Sequence, residues 1–141
     1  MPIEEVEGGY KPSGDEAFMN ERQRDYFRRK LIAWKEDILR ESQETLVVLQ
    51  RESENHPDLA DRASSETGRS IELRARDRQR KLIAKIDAAL ERLVDGSYGY
   101  CEETGEPIAI ARLEARPVAT LSLEAQERHE RKERTQRDMR E

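Results

Sequence analysis

The stretch that decides the fold is FRRKLIAWKEDIL, residues 27–39. Its apolar residues recur at steps of four, three and four: Phe27, Leu31, Trp34 and Ile38. This spacing places them on one face of an α-helix. Because neither glycine nor proline occurs between Glu16 and Glu54, we predict a helix over about that range.

A second helical pattern follows a break in the first. Pro57 cannot lie inside a helix, and it disfavours helical geometry at the residue before it. Beyond it, apolar residues again recur at helical spacing: Ile71, Ala75, Leu82, Ile86, Leu90 and Leu93. We predict a second helix from about Ala63 to Val94, closed by Asp95 and Gly96. Two long helices joined by a short turn are expected to pair antiparallel.

The fold class that these patterns predict is mainly α. A long antiparallel coiled-coil hairpin is accompanied by a small zinc-finger-like globular unit without zinc and by a C-terminal helix. The base of the hairpin can pack with the globular unit, and Tyr10 is a candidate anchor for the arm that precedes it. The predicted segments are a flexible arm at 1–14, the hairpin at 15–95 with its tip at 55–63, the finger-like unit at 96–122 and the last helix at 123–141.

The composition excludes several classes of protein. Charged residues make up 40% of the 141 residues and hydrophobic ones 35%, which suits long helices with charged outer faces. The net charge of -5 argues against general affinity for nucleic acid or anionic membranes. No apolar run approaches the ~20 residues of a membrane span, and no secretory signal is visible. With one cysteine an internal disulfide is excluded, and we expect a cytoplasmic protein.

Two carboxylates mark the turn between the helices, in PDLADRA (57–63). Asp58 and Asp61 are three residues apart and can share one side of a helical turn. They are either helix caps or an acidic probe that touches a basic or metal-containing site in a partner. No nucleophile–base pair and no glycine-rich phosphate loop occurs, so we expect no enzyme. A hydrolase that uses the tip carboxylates is the least favoured alternative.

A basic run, RSIELRARDRQRKLIAK, occupies residues 69–85 of the second helix. By composition it is a solvated helix face with ion pairs to acids of the first helix. The functional alternative is a patch for phosphate or for an acidic protein surface, which arginine suits well.

The stretch YGYCEETGEPIAIARLEARPVATLSLEAQ (98–126) has the layout of a treble-clef zinc module. Four positions keep the spacing of a four-ligand site: Cys101, Thr104, Ser122 and Ala125. A structural zinc site needs about four ligands, hydroxyls keep their protons near neutral pH, and alanine offers no donor. His129 lies in a charged helix and does not complete the set. We therefore expect no zinc, and a finger held by packing of Tyr98, Ile108, Leu113 and Leu121.

These motifs resemble the DksA/TraR family of bacterial transcription factors over nearly the whole chain. HPDLADRA (56–63) is similar to the tip of the family's hairpin, and GSYGYCEETGEPI (96–108) to the start of its finger. The chain is identified as the reduced-cysteine, zinc-independent type. The resemblance implies a monomer that binds RNA polymerase in its secondary channel, without sequence-specific DNA binding. With the effector ppGpp, such a protein represses ribosomal RNA promoters and activates amino-acid biosynthesis promoters.

The resemblance also implies site residues. Those at the tip, near the polymerase active site, are Asp58, Asp61 and Ala63. Those that bind the polymerase are Arg74 and Arg78. Those near ppGpp are Leu82, Lys85, Arg116 and Gln126. Gln126 stands where the family carries a basic residue, which implies weaker coupling to ppGpp. The alternative function is a coiled-coil adaptor of another complex, with the same hairpin and a different partner.

Overall fold

The computed structural model describes residues 9–54 and 59–140, without the side chains of 49, 52–54, 59–65 and 140. In these ranges the helices are α1 (Glu21–Glu54), α2 (Leu59–Asp95), α3 (Ile110–Ala115) and α4 (Leu123–Arg140). The one β-pairing among the described residues is an isolated antiparallel bridge between Tyr100 and Pro107. The prediction of a mainly helical fold is confirmed. None of the described helices is long and apolar enough to cross a membrane.

Helix α1 begins later than predicted, at Glu21 instead of about Glu16. Met19 has φ of 51°, a left-handed backbone that a helix cannot continue through. Asn20 caps the new start, because its Oδ1 accepts a hydrogen bond from the N–H of Gln23 at 2.9 Å. The Gln23 side chain reaches back and accepts from the N–H of Met19 at 2.7 Å. This arrangement is close to a capping box, and the spacing of Asn20 and Gln23 was its signal in the sequence.

Helix α2 ends where the sequence predicted. Gly96 has φ of 87°, a conformation that glycine adopts without strain. The N–H groups of Gly96 and Ser97 both point to the carbonyl oxygen of Arg92, at 2.9 and 3.0 Å. The helix starts at Leu59, earlier than the predicted Ala63. The short helix α3 was not predicted.

The chain divides into two compact units. Unit 1 is Ile32–Ala88, and unit 2 consists of the described residues 9–31 and 89–140. In unit 1, Lys35 Nζ lies 2.7 Å from Asp87 Oδ1. Seven residues further along α1, Ser42 Oγ donates to the side chain of Gln79, which comes eight residues before Asp87. The two long helices therefore run antiparallel, as predicted.

The core of unit 1 is thin. Ile38 and Ile86 are buried, with 5% and 0% of their surface exposed. Ile71, which the predicted stripe of α2 included, is 59% exposed, so this part of the prediction is wrong, and Val48 of α1 is 52% exposed. Val48 follows Ile38 by ten residues, which rotates it about 80° off the buried face. Extending the register of the Lys35–Asp87 and Ser42–Gln79 pairs along the two helices places Ile71 level with the polar Gln50.

The core of unit 2 is denser and includes the finger. Side chains that are at most 2% exposed there include Phe27, Leu31, Tyr98, Ile108, Leu113 and Ala125. The Tyr98 hydroxyl donates to the carbonyl oxygen of Pro117 at 2.8 Å, so this buried hydroxyl is satisfied. The predicted packing of Tyr98, Ile108 and Leu113 is confirmed, whereas Leu121 is only half-buried.

Tyr10 anchors the segment before α1. Its hydroxyl donates to Glu16 Oε2 at 2.5 Å. Its ring lies edge-on to Tyr26, with centroids 6.1 Å apart, and the Arg22 guanidinium stacks 3.9 Å over it. The anchoring role expected from the sequence is confirmed.

Candidate functional site

The finger turn is built from backbone hydrogen bonds. The N–H of Cys101 donates to the carbonyl of Glu106 at 2.8 Å, and the N–H of Gly105 donates to the carbonyl of Cys101 at 2.9 Å. The N–H of Ile108 closes the outer pair on the carbonyl of Gly99 at 2.7 Å. These bonds hold the turn by main-chain contacts that need no metal.

The four ligand-spaced positions take up other roles. Thr104 Oγ1 accepts a hydrogen bond from the N–H of Glu106 at 3.2 Å. Ser122 Oγ accepts from the N–H of Ala125 at 3.3 Å and so caps α4. The Ala125 methyl is fully buried. One thiol, two hydroxyls engaged with the backbone and a methyl do not fit a structural zinc ion. In the described part of the chain, no group of three or more His, Cys, Asp or Glu residues could hold a metal.

The Cys101 side chain is 2% exposed and surrounded by donors. Burial raises the pKa of its thiol, but hydrogen bonds from the Thr104 hydroxyl and from the main-chain N–H of Ser122, Thr104 and Glu103 outweigh that effect. Together they bring the pKa of Cys101 down to about 6. The structure thus brings three of the four ligand-spaced positions together around the sulfur.

Helix α4 is tied to the finger turn by Glu103, a residue that sequence reasoning missed. His129 Nε2 contacts Glu103 Oε1, and Arg128 lies 3.8 Å from the other carboxylate oxygen. His129 is therefore engaged with a carboxylate of the finger turn.

The basic face of α2 in unit 1 forms an open groove of about 870 Å³. Its lining includes Arg74 and Arg78, which are both exposed, and no ion pair between described residues involves either of them. Ile71 and Leu73 lie in the same groove, 59% and 55% exposed. Since the expected ion pairs with α1 are not made by these two arginines, this face suits an acidic surface with apolar side chains.

The residues assigned to ppGpp belong to different units, Leu82 and Lys85 to unit 1, Arg116 and Gln126 to unit 2. Leu82 is half-buried, whereas Lys85 is exposed. Arg116 is exposed at the end of α3. Gln126 is half-buried, and its amide donates to Glu130 Oε1 at 3.3 Å.

The tip is the part of the candidate site that the structure does not describe in detail. Asp58 lies outside the described residues. Asp61 and Ala63 lie in α2, but their side chains are outside the description.

A partly buried polar network fixes α3 to α1. The Glu114 carboxylate accepts a hydrogen bond from the Tyr26 hydroxyl and lies 3.3 Å from Lys30 Nζ. Burial, and then the hydrogen bond to Glu114, raise the pKa of Tyr26 above its usual value. Sequence reasoning missed this network, although Tyr26 and Lys30 are four residues apart beside the apolar stripe. Because Arg116 follows two residues after Glu114, the network also holds the segment that carries this cation.

Comparisons with known proteins agree with this architecture. The family model "DnaK suppressor protein DksA, N-terminal domain" matches residues 23–93. The model "Prokaryotic dksA/traR C4-type zinc finger" matches residues 96–131, although only one of the four cysteines is present.

Relatives match over most of the chain. An RNA polymerase-binding transcription factor DksA of Caulobacter vibrioides is 74% identical over 129 residues, which are 92% of this chain and 91% of the relative. The protein of the same name from Escherichia coli K12 is 46% identical over 82% of this chain and 76% of its own length. The structure of transcription factor DksA2 from Pseudomonas aeruginosa superposes with a TM-score of 0.79 at 46% identity, covering 85% of this chain and 92% of that one. Fold, finger and sequence agree, and the chain belongs to the DksA/TraR family.

Proposed function

We propose that this chain binds RNA polymerase and regulates transcription initiation. The observation that carries the proposal is the groove on α2, where Arg74 and Arg78 lie beside the exposed Ile71 and Leu73. Relatives up to 74% identical bear the name RNA polymerase-binding transcription factor. A surface of guanidinium groups beside apolar side chains suits a carboxylate-bearing protein partner.

The proposed mechanism follows the family's pattern. The hairpin enters the secondary channel of the polymerase, and its tip, with Asp58, Asp61 and Ala63, approaches the active site. Negative charge there destabilises the open promoter complex, which represses ribosomal RNA promoters and favours amino-acid biosynthesis promoters. The protein acts in the cytoplasm as a monomer, without catalysis and without reading DNA sequence.

The finger acts without zinc in this proposal. The roles of Thr104 and Ser122 as backbone partners support it, because they replace metal bonds with local hydrogen bonds. The effector ppGpp contacts Leu82, Lys85 and Arg116, with Gln126 as a weaker neighbour. The division into arm (1–14), hairpin (15–95), finger (96–122) and last helix (123–141) is part of the same proposal.

Binding to core RNA polymerase is the first test. The double variant Arg74→Ala/Arg78→Ala is expected to lose tenfold or more in affinity, because each charge-assisted contact contributes about 1.5–3 kcal/mol. Arg40→Ala is the matched control, since Arg40 is exposed in unit 1 and pairs with Asp37 of its own helix, at 3.2 Å. If the double variant binds like the wild type, the groove is not the polymerase surface. If the wild type does not bind at all, the adaptor function replaces this proposal.

A second variant separates binding from regulation. Asp61→Asn is expected to leave folding within about 1 kcal/mol of the wild type, because Asp61 lies in the first turn of α2, where a negative charge contributes about 0.3–1 kcal/mol, and to leave polymerase binding unchanged. It should abolish the effect on a ribosomal RNA promoter in vitro. Normal regulation by this variant would contradict the acidic-probe mechanism.

A further inference from the structure

A small cavity of about 70 Å³ lies in unit 2, between the first turns of α1, the end of α2 and the finger turn. Two arginines, Arg24 from α1 and Arg92 from α2, line it together with apolar and aromatic side chains. None of the residues assigned to polymerase or ppGpp lines this cavity. The inference drawn from this cavity therefore does not rest on the proposed function.

Arg24 has a buried donor without an acceptor. Its Nε is inaccessible to solvent and has no hydrogen-bond partner among the described residues. Buried polar groups are almost always paired, and an unpaired donor on a charged group is especially unfavourable. The orphaned Nε therefore points to a partner that the protein atoms do not supply.

Arg92 is only partly compensated by its neighbours. Its NH1 lies 3.7 Å from Glu102 Oε1, beyond hydrogen-bond distance, and the Glu102 side chain is 61% exposed. The other nearby carboxylate, Asp95, accepts hydrogen bonds from the hydroxyl and N–H of Ser97 at 2.5 and 2.8 Å. The guanidinium of Arg92 thus keeps donors for a ligand in the cavity.

The volume of the cavity and its arginine donors indicate which class of ligand it can bind. A water molecule would fit, but it carries no charge to balance the Arg24 guanidinium, which makes no ion pair with the described residues. Tetrahedral oxyanions match the planar donor fork of arginine, and a cavity of this size has room for one such group and not for a nucleoside. We propose that this cavity binds a single oxyanion, phosphate or sulfate, held between Arg24 and Arg92. The bound anion links the first turns of α1 to the last turn of α2, beside the metal-free finger.

The test is thermal unfolding of the full chain in sodium phosphate and in sodium chloride of equal ionic strength. Phosphate is expected to raise Tm by a few degrees more than chloride, because a ligand of the native state stabilises it by mass action. Phosphate also stabilises folded proteins in general, because it is excluded from their surface, so Arg24→Met should reduce this difference to that general part. Arg29→Met should retain the full difference, since Arg29 is exposed and pairs with Asp25 in the same helix. An equal response to chloride, or an unchanged phosphate effect in Arg24→Met, overturns the proposal.

A second measurement does not depend on the stability of the variants. The Nε–H resonance of Arg24, identified by its absence from Arg24→Lys, is expected to shift saturably with inorganic phosphate in ¹H–¹⁵N spectra. A resonance that does not move overturns the proposal. A matching response to GDP identifies the terminal phosphate of a nucleotide as the ligand, whereas a response to inorganic phosphate alone identifies the free anion.

Discussion

Lys30 donates a hydrogen bond from Nζ to the main-chain carbonyl of Glu114 at 2.7 Å, across 84 residues of sequence. The same nitrogen lies 3.3 Å from the Glu114 carboxylate, and the Lys30 side chain is 9% exposed. The nearly buried ammonium of Lys30 thus donates to the main-chain carbonyl of Glu114 and balances the charge of its carboxylate. Both contacts hold α3 against α1.

Lys30→Met is therefore expected to destabilise the protein by about 1–3 kcal/mol, because it leaves the Glu114 carbonyl without its donor and the partly buried carboxylate with only the Tyr26 hydroxyl as partner. Lys35→Met is the control, since the Lys35–Asp87 pair is more exposed, at 33% and 48%, and should contribute only about 0–1 kcal/mol. Urea unfolding measures both. Equal losses in the two variants would contradict the role given to Lys30.

Gly99 is the position in the finger turn where a side chain should not be tolerated. Its φ is 87°, and an added Cβ would lie 3.1 Å from the Phe18 ring and 3.3 Å from Met19. Gly99→Ala is expected to cost about 1–3 kcal/mol from strain and crowding. Gly68→Ala is the opposite case: a Cβ there meets nothing within 4 Å, and helix propensity predicts a gain of about 0.5–1 kcal/mol. Thermal unfolding that gives the same sign for both variants would contradict the strain and crowding assigned to Gly99.

The thiol of Cys101 should titrate near pH 6, well below an ordinary thiol, because four hydrogen bonds favour its thiolate. The pKa of Cys101 is lower in the folded state than in the unfolded state. Below pH 6 the thiol is protonated in both states, so it contributes nothing to the pH dependence of stability there. Its stabilising contribution grows as pH rises and is complete above the usual thiol value near 9. The difference in unfolding free energy between wild type and Cys101→Ala should follow this direction. A difference that is flat from pH 6 to 9, together with a thiolate absorbance midpoint near 9, would contradict it.

Metal removal is expected to have no effect. Elemental analysis of the purified protein should find no stoichiometric zinc, and a chelator should leave Tm unchanged, because the turn around Cys101 is held by main-chain bonds. The triple variant Thr104→Cys/Ser122→Cys/Ala125→Cys restores four thiols at the finger spacing and should gain one zinc per chain. One tightly bound zinc per wild-type chain would contradict the prediction.

Coupling to ppGpp should be limited by Gln126. A neutral amide contributes about half or less of a charge-assisted contact to phosphate, so Gln126→Lys is expected to strengthen the response about fivefold, while Lys85→Ala should weaken it. The measurement is a ppGpp titration of promoter-complex lifetime. A new lysine can instead pair with Glu130, which now accepts from Gln126, so the variant is also measured with Glu130→Gln. An unchanged response in all variants would remove Lys85 and Gln126 from the effector contact.

The sequence predicted those parts of the fold that depend on near neighbours. The burial of Phe27, Leu31 and Ile38 follows from their spacing, and the end of α2 follows from Asp95–Gly96. The spacing of Asn20 and Gln23 also indicated where α1 begins. The prediction placed the start earlier, because the residues from Glu16 onward are compatible with a helix. The candidate site came mainly from motif resemblance, because no local rule relates an arginine on a helix face to a particular partner.

Other features depend on distant parts of the chain. The pair Lys30–Glu114 joins residues 84 positions apart, and no pattern within either segment indicates it. The unpaired Nε of Arg24 could not be predicted from the sequence either, because the residues around it come from three separate elements. The exposure of Ile71 depends on the register between the two helices, and the apolar pattern of a single helix does not determine that register.

The discontinuity of unit 2 has a consequence for the order in which the chain folds during synthesis. Its first part, residues 9–31, is made early, but the residues that cover it come after 88. The Phe27 ring meets Tyr98, at a centroid distance of 5.6 Å, only after roughly 70 further residues have been translated. A nascent chain that stops before residue 96 therefore carries an uncovered apolar face at its oldest end, which is a surface for chaperones or for aggregation. Residues 89–140 cover that face once they have left the ribosome, so translation must be nearly complete before unit 2 becomes stable.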